Sequence, residues 1–351
     1  MTRREALTLL AAGVAGRGQV SAAGPIIRTV LKDLPPEALS GGATLFHEHL
    51  SLAPDFMPKW MALARAQNPQ AKTGPPPPPP QAAPSDRPFF MQDAELMAEE
   101  LRAASKEGVA CIVDGGHPDM GRDLDFLKKL STLSGMPIVA GCGYYSEPFY
   151  PPEIAGMGEE QITQELVRQA RTQPVGAFGE IGSWGDITDL ERKVFRAVGK
   201  AHLQTNLPIF THTGIPGRSA MEQLDILEAA GVKPQRIVIG HVGNLVDPKV
   251  EVHKALCRRG AFIGFDRQGG PGDARQVPMV VALIDAGYAG NLLFSSDLST
   301  ANQLKSNGGT GYAKTVTMFV PKLREAGVNE DTLHGILVDN PRRFLAFVPP
   351  R

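Results

Sequence analysis

The 351-residue chain is poor in cysteine and has no excess of either charge. Its three cysteines, Cys111, Cys142 and Cys257, are too few and too widely spaced for a disulfide framework or a cysteine-rich zinc site. We expect buried thiols, although Cys142, at the end of a predicted strand, could instead line a pocket. The formal net charge of -1 gives no sign of the basic surface that nucleic-acid-binding proteins use. We therefore predict a small-molecule partner and no nucleic acid.

The N-terminus lacks an apolar run long enough to cross a bilayer. Arg3 and Arg4 precede a short apolar stretch over residues 6–16, and the small residues of "QVSAAG" follow it. This pattern predicts a twin-arginine export signal over residues 1–23, and hence a periplasmic or secreted protein with no stable membrane insertion after signal removal. Ala6 stands where such signals often carry an aromatic residue, so a plain secretory signal or an uncleaved anchor remains open.

Eight short apolar runs alternate with amphipathic helical stretches in the rest of the chain. Such runs indicate parallel strands buried on both faces. We therefore predict an α/β fold, a single (β/α)8 TIM barrel over residues 24–351. A doubly wound open sheet is the alternative, but no glycine-rich phosphate fingerprint follows the first run. The predicted strands span residues 43–47, 109–114, 137–142, 176–182, 208–213, 236–241, 261–266 and 291–297.

A long proline-rich insertion over residues 51–90 interrupts this alternation after the first predicted strand. It contains the amphipathic "DFMPKWMALARAQ" and the low-complexity "GPPPPPPQAAP", and a polyproline run cannot join a sheet. The position corresponds to the carboxyl face of a barrel, where active sites are built. Trp60 and Met61 could therefore cap a substrate pocket, although a flexible spacer without catalytic role fits equally well.

Two histidines stand at the end of the first predicted strand, in "ATLFHEHLSL". Successive side chains of a strand face opposite ways, so His47 and His49 share one face and could bind a metal. Glu48 then points away from them, and we expect a structural role for it. Taken alone, the motif favours an ordinary strand end with polar residues in a turn.

The carboxyl ends of all the strands of a barrel converge on one spot. There, four imidazoles and two carboxylates would suit two divalent ions, zinc first, and Glu180 could bridge them at about 3.5–4 Å. His202, His253 and His334 fall in helical patterns and are expected at the surface or behind the site. His117 follows the second predicted strand and is a candidate for substrate contact. The predicted ligands are His47, His49, Glu180, His212, His241 and Asp297.

Several motifs resemble the phosphotriesterase-related branch of the metal-dependent amidohydrolases. They include "TLFHEHL", "RIVIGHVGN", "GFDRQG" and "SSDLS", and the likeness covers the chain after residue 23 except for the insertion. It implies a TIM barrel with a binuclear metal site, and many such proteins are dimers, so a homodimer is possible. It also implies a first-strand ligand pair at His47 and His49, ligands of the second metal at His212 and His241, and a ligand that is also the proton acceptor at Asp297.

One position departs from the commonest pattern of that family. Glu180, in "GEIG", stands where many members carry a carbamylated lysine, and this resembles the sub-branch in which an unmodified glutamate bridges the metals. A carbamate and a carboxylate each offer two oxygens and one negative charge, so the exchange is chemically reasonable. The substrate range of lysine-bearing relatives transfers poorly for the same reason.

These features predict a hydrolase that acts on ester bonds, with a lactone or another carboxylic ester as the substrate. A hydroxide between the two metals would attack, and Asp297 would accept the proton. An organophosphate triester is the second candidate, and a non-catalytic, metal-stabilised binding protein on the same barrel is the alternative of another class. The predicted substrate contacts are Tyr144, Asp266, Arg267 and His117.

Overall fold

The protein is described by a computed structural model that covers residues 24–67, 88–214, 219–245 and 247–350. The predicted export signal (residues 1–23) and the polyproline run (residues 75–80) lie outside the described residues. A short antiparallel hairpin, β1 (Ile27–Arg28) with β2 (Asp33–Leu34), precedes the main sheet.

Eight parallel strands form the main sheet, in the same order as in the chain. Its two ends meet, because the Asp297 N–H donates to the His47 carbonyl and the His49 N–H donates to the Leu298 carbonyl, each at 3.2 Å. The sheet therefore forms a nearly closed barrel, which confirms the predicted (β/α)8 TIM barrel and excludes the doubly wound alternative. The strands are β3 (Ala43–Glu48), β4 (Val109–Asp114), β5 (Ile138–Cys142), β6 (Ala177–Gly182), β7 (Ile209–His212), β8 (Ile237–Ile239), β9 (Phe262–Phe265) and β10 (Leu292–Phe294).

Helices connect the strands. A π-helical turn, Thr315–Phe319, continues directly into the helix that begins at Val320, and a second, Gly335–Asp339, joins the last two helices. The α-helices are α1 (Phe56–Gln67), α2 (Ala94–Lys106), α3 (Leu124–Ser134), α4 (Glu153–Gly156), α5 (Glu159–Thr172), α6 (Asp189–Thr205), α7 (Ala220–Ala229), α8 (Glu251–Arg258), α9 (Asp273–Asp285), α10 (Val320–Glu325), α11 (Glu330–His334) and α12 (Asn340–Leu345). None of the described helices combines the length and apolar character needed to cross a membrane.

Two apolar clusters divide the strand residues between them. Along β10, Leu292 and Phe294 belong to a large cluster shared with the helices, while Leu293 belongs to a small inner cluster, as the alternation of side chains requires. The inner cluster contains Phe210, whose ring centroid lies 5.4 Å from that of His47. The polar residues at the strand ends therefore rest directly on the packed interior of the barrel.

The three cysteines are free, buried thiols. Cys142 is fully buried, so packing is its role, and burial raises its pKa to about 12. Of the three helical histidines, His334 is exposed, while His202 and His253 are buried and bonded to backbone carbonyls. Of these three histidines, expected at the surface or behind the site, only His334 lies at the surface.

Candidate metal centre

The barrel brings the six predicted ligand side chains together at its carboxyl end. Four lie within or directly after β3, β6 and β7, and two follow β8 and β10 in backbone turns. These two, His241 and Asp297, have φ values of 57° and 50°, the left-handed region that side-chain-bearing residues rarely adopt. Such conformations persist where the surrounding structure imposes them, often at functional sites. The six residues are His47, His49, Glu180, His212, His241 and Asp297.

Glu180 presents one carboxylate oxygen to each of two histidine pairs. Its Oε2 lies 3.2 Å from Nε2 of His47 and 3.5 Å from Nε2 of His49. Its Oε1 lies 3.1 Å from Nε2 of His241 and contacts Nδ1 of His212. Two groups of three potential ligands thus share this glutamate, which is the arrangement needed to hold two cations side by side.

The unpaired atoms of this cluster fit a divalent metal. Nε2 of His47 and Oε2 of Glu180 are buried with no hydrogen-bond partner, although buried polar atoms are normally paired. Nδ1 of His212 and Nε2 of His241 face each other at 2.8 Å. Imidazole nitrogens and carboxylate oxygens are the donors that zinc and similar ions prefer. A divalent cation would supply each of these atoms with a partner.

The local field also favours positive charge. Burial lowers the pKa of His47, but the neighbouring carboxylates of Glu180 and Asp266 outweigh it and raise that pKa well above its ordinary value. His49 follows the same logic, because Asp297 and Glu180 outweigh burial and raise its pKa. The carboxylates therefore attract a cation to this position, which a metal ion can satisfy.

Asp297 is the most accessible of the predicted ligands. Its side chain is 13% exposed, against 2% for Glu180. Oδ1 lies 3.1 Å from Nε2 of His49, and Oδ2 accepts a hydrogen bond from Nε of Arg267 at 3.1 Å. This carboxylate therefore stands between the cluster and the space above it.

Asp266 orients two of the predicted ligands from behind. Its carboxylate bonds to Nδ1 of His47 at 3.0 Å and to Nδ1 of His241 at 2.8 Å, so the Nε2 atoms of both rings point into the cluster. Although burial opposes ionisation, these two rings hold the pKa of Asp266 well below its usual range. Carboxylates in this position fix ring orientation and raise the basicity of the ligand.

A cavity of about 530 Å³ opens above the cluster. His49, Glu180, His212 and Asp297 form its floor. Its lining includes an apolar group and a polar group of residues, called here the apolar side and the polar side, and this mixture suits a small ligand with both kinds of surface. The apolar side comprises Phe56, Met57, Trp60, Met120 and Tyr145, and the polar side includes Arg267, Gln268, Ser299, Thr300, Asn302, Gln303 and Lys314.

Of the four predicted substrate contacts, Arg267 lines this cavity and the other three do not. Asp266 is buried behind the histidines, as described above. His117 is fully buried, with Nδ1 3.6 Å from Oδ1 of Asp119. The side chain of Tyr144 is turned away and packs against Tyr150, with ring centroids 6.2 Å apart.

Tyr145, rather than the predicted contact Tyr144, lines the cavity. Its hydroxyl accepts a hydrogen bond from Nε1 of Trp60 at 2.9 Å and lies 3.2 Å from both ring nitrogens of His212. Adjacent residues of an extended segment face opposite ways, so only one of the two tyrosines can reach the cavity. The sequence contains no signal that decides which.

The insertion contributes one wall, with a correction to the predicted residues. Trp60 lines the cavity as predicted, whereas Met61 is 39% exposed and does not. Met57 lies on the cavity side instead, because residues three apart share one face of α1. Gln268 and Lys314 were not predicted as cavity residues, although Gln268 stands in the motif "GFDRQG".

A TIM barrel with a histidine and carboxylate cluster at the carboxyl ends of its strands defines a class, the metal-dependent hydrolases. Within that class, the sequence profile of the phosphotriesterase family matches residues 27–345. The chain belongs to the phosphotriesterase family, and it is a hydrolase with a divalent-metal site.

Three relatives illustrate the similarity. The phosphotriesterase homology protein of Escherichia coli is 33% identical over 258 residues, which cover 71% of this chain and 87% of that protein. Its crystal structure, with phosphate in the active site, superposes with a TM-score of 0.74 over 87% of this chain and 99% of that one, at 28% identity. A resiniferatoxin-binding protein from Rhodobacter sphaeroides gives a TM-score of 0.78 at 30% identity, over 91% of this chain and 94% of that one. The human N-acetyltaurine hydrolase is 28% identical over 344 residues, which cover 92% of this chain and 98% of that protein.

Proposed function

We propose that the protein hydrolyses a small carboxylic ester or lactone with two divalent cations, zinc by default, bound at the cluster. The division of the Glu180 oxygens between two histidine pairs carries this proposal, because it matches a two-cation centre. Each of the six predicted ligand positions carries a side chain that can bind a metal, and Asp297 faces the cavity. A protein that only binds ligands would not need an accessible proton acceptor beside the cluster.

When bound, such cations would lower the pKa of a coordinated water and polarise the carbonyl oxygen of the substrate. Asp297 receives the proton. Burial opposes ionisation of this residue, but His49, His47 and Arg267 hold its pKa well below its ordinary value, so the acceptor is ionised at neutral pH. The same carboxyl group can then protonate the leaving oxygen.

The remaining walls orient the substrate and exclude water. Trp60 and Tyr145 are joined by a hydrogen bond and close the apolar side beside His212. The guanidinium of Arg267 lies 5.9 Å from the ring of Trp60 and bonds to Asp297, so it connects the apolar wall to the proton acceptor. A rigid wall of this kind positions a substrate against the acceptor.

An amide is the second candidate substrate. The N-acetyltaurine hydrolases match over 92% of this chain, and N-acetyltaurine, the compound in their name, is an amide. Asp297 could protonate a leaving nitrogen as well as a leaving oxygen. A phosphotriester remains third, and a non-catalytic binding role has a counterpart in the resiniferatoxin-binding protein.

The test is hydrolysis of a panel of lactones, aryl esters, N-acyl amides and phosphotriesters by the metal-loaded protein, with metal content measured in parallel. Asp297→Asn serves as the inactive variant, and Asp285→Asn, an exposed carboxylate at the end of α9, serves as the matched control. We expect turnover of an ester or lactone that falls by about 10²–10⁴ in Asp297→Asn and is retained in the control. Equal rates in all three proteins across the panel would overturn the proposal.

We also propose a periplasmic or secreted location and a homodimer. The first rests on residues 1–23 alone, and the second on the family likeness described above. Gel filtration of the signal-free protein and fractionation of the full-length chain test them separately.

A further inference from the structure

Lys314 places a positive charge in a nearly buried position on the cavity wall. It lies on the polar side of the cavity, between the "SNGGTG" segment and the π-helical turn, and only 6% of it is exposed. Within the described ranges, its ammonium group makes no hydrogen bond and no ion pair. A buried charge without a partner is costly, and buried lysines are almost always paired. We therefore expect a negatively charged group of a bound ligand to pair with Lys314.

The three carboxylates that influence Lys314 electrostatically are Glu48, Asp297 and Asp273, and each is already engaged. Glu48 accepts hydrogen bonds from the segment after β10. Asp297 is paired with a guanidinium and belongs to the metal cluster. Asp273 accepts from Nζ of Lys322 at 2.6 Å. Asp297 and Asp273 therefore have closer cations than Lys314. Glu48, bonded only to neutral donors, feels the charge of Lys314 without forming an ion pair with it.

The backbone is shaped to hold the lysine in place. Gly269, with a φ of 77°, lies under the stem of Lys314, and a Cβ there would come within 2.9 Å of Cβ and Cγ of the lysine. The adjacent Gln268 lies on the same wall, buried, and neither atom of its amide has a hydrogen-bond partner. Two unpartnered polar side chains thus meet on one side of the cavity, and both can donate hydrogen bonds to an anion.

We infer that Lys314, assisted by Gln268, binds a carboxylate of the substrate, so that the enzyme prefers esters with a free acid group to neutral esters. This inference rests on the proposed hydrolysis and names its substrate class. Arg267 lines the same cavity, but its guanidinium is already paired with Asp297, whereas Lys314 has no ion pair among the described residues. The cavity of about 530 Å³ has room for the scissile bond at the floor and the acid group at the polar wall.

The test compares two aryl esters that differ in charge, the 4-nitrophenyl monoester of glutaric acid and 4-nitrophenyl butyrate. The variants are Lys314→Met, which keeps the length of the stem, Lys314→Arg, which keeps the charge, and Lys233→Met, an exposed control. For Lys314→Met we expect kcat/KM on the anionic ester to fall about 10–100-fold, mainly through KM, and the neutral ester to change less than about 3-fold. Lys314→Arg should restore part of the loss. Equal losses on both esters, or no loss on either, would overturn the inference.

Stability separates a binding role from a structural one. Replacement of an unpaired buried charge by an apolar side chain should leave the melting temperature of Lys314→Met unchanged or raise it. A lower melting temperature would indicate that the lysine supports the fold, and would count against the inference.

Direct binding makes the inference independent of turnover. Calorimetry on the metal-loaded protein would measure binding of 5-methoxypentanoate, an acid-bearing ether that cannot be hydrolysed, and of inorganic phosphate, each to the parent protein and to Lys314→Met. We expect the variant to bind the organic acid at least about 10-fold more weakly. If phosphate alone depends on the lysine, the site takes a free inorganic anion and the substrate class is wrong. If no ester or amide is hydrolysed but binding of the organic acid depends on Lys314, the proposed function fails and the anion site stands.

Discussion

The carboxylate of Glu48 holds the backbone on both sides of Asp297. Oε1 accepts from the Ser296 N–H and Oε2 from the Leu298 N–H, each at 2.8 Å, and the hydroxyls of Ser295 and Ser296 donate to Oε1 as well. Asp297, between them, has the left-handed φ that directs its side chain to the cluster. Glu48, whose side chain points away from the metal ligands, thus fixes the position of the predicted proton acceptor. This is the structural role that we expected for Glu48 from the sequence.

Replacement of this glutamate should damage both stability and turnover. In Glu48→Gln one oxygen becomes an amino group that faces N–H donors, so the free energy of unfolding should fall by about 1–3 kcal/mol. Displacement of Asp297 should lower kcat by about 10–100-fold with a smaller change in KM. Urea unfolding and steady-state kinetics measure the two effects. Glu325→Gln, on an exposed carboxylate at the end of α10, is the control, and a Glu48→Gln protein that matches it would contradict the prediction.

Asp266→Asn should weaken metal binding more than it weakens the fold. An amide cannot accept hydrogen bonds from both Nδ1 atoms that the carboxylate now joins, so either His47 or His241 loses its orientation. Loss of such a partner typically costs about 10–100-fold in metal affinity. Competition with a chromophoric chelator measures that affinity, with Asp285→Asn as the control. Unchanged affinity in Asp266→Asn would show that the rings are held by packing alone.

The sequence could predict the barrel and, to within one residue, the ends of six of its eight strands. By contrast, β8 and β10 end at Ile239 and Phe294, before the predicted ends at His241 and Asp297. Continuous apolar runs identify buried parallel strands, and closure then brings residues as distant as His47 and Asp297 together. The prediction needed no side-chain detail, because strand order alone determines which ends meet.

The choice between neighbouring residues could not be predicted. Tyr145 and Met57 line the cavity, whereas Tyr144 and Met61 do not, so the segments were identified correctly but not the residues that face the cavity. Which residues of a segment face the cavity is set by packing between elements that are distant in sequence. Lys314 was missed for a related reason, since its position on the cavity wall depends on packing against Gly269, which is distant in sequence.

Acid should destabilise the protein partly through His202. This residue is buried on α6, its Nδ1 bonds to the carbonyl of Leu207, and burial lowers its pKa below the ordinary 6.5. Because its pKa is depressed in the folded state, its contribution is fully present above about pH 6.5 and is lost as pH falls through the folded value. Between about pH 7.5 and 5.5, His202→Gln should therefore lose less free energy of unfolding than the parent protein. Urea titrations at several pH values, with the exposed His334→Gln as control, measure the slopes. Equal slopes in the parent and His202→Gln would contradict the assignment.

Removal of metal should lower the melting temperature, and Glu180→Gln should abolish most of that effect. Ions that bind only the folded protein stabilise it by mass action, by about 2.7 kcal/mol at a hundredfold excess over Kd. The buried atoms left without partners at His47 and Glu180 then remain unpaired in the chelated protein. Calorimetric melting with chelator, and again after zinc is restored, measures the difference.

The glutamate variant tests the shared role of the two oxygens. In Glu180→Gln only one side-chain oxygen remains, so one histidine pair keeps an oxygen acceptor and the other faces the NH2 of the amide. Bound metal, measured by elemental analysis, should fall from two ions per chain to one or fewer, and the chelator-induced shift should shrink with it. Retention of two ions at full affinity would mean that the histidines and Asp297 suffice. The bridging role proposed for Glu180 would then be wrong, although the hydrolase assignment would stand.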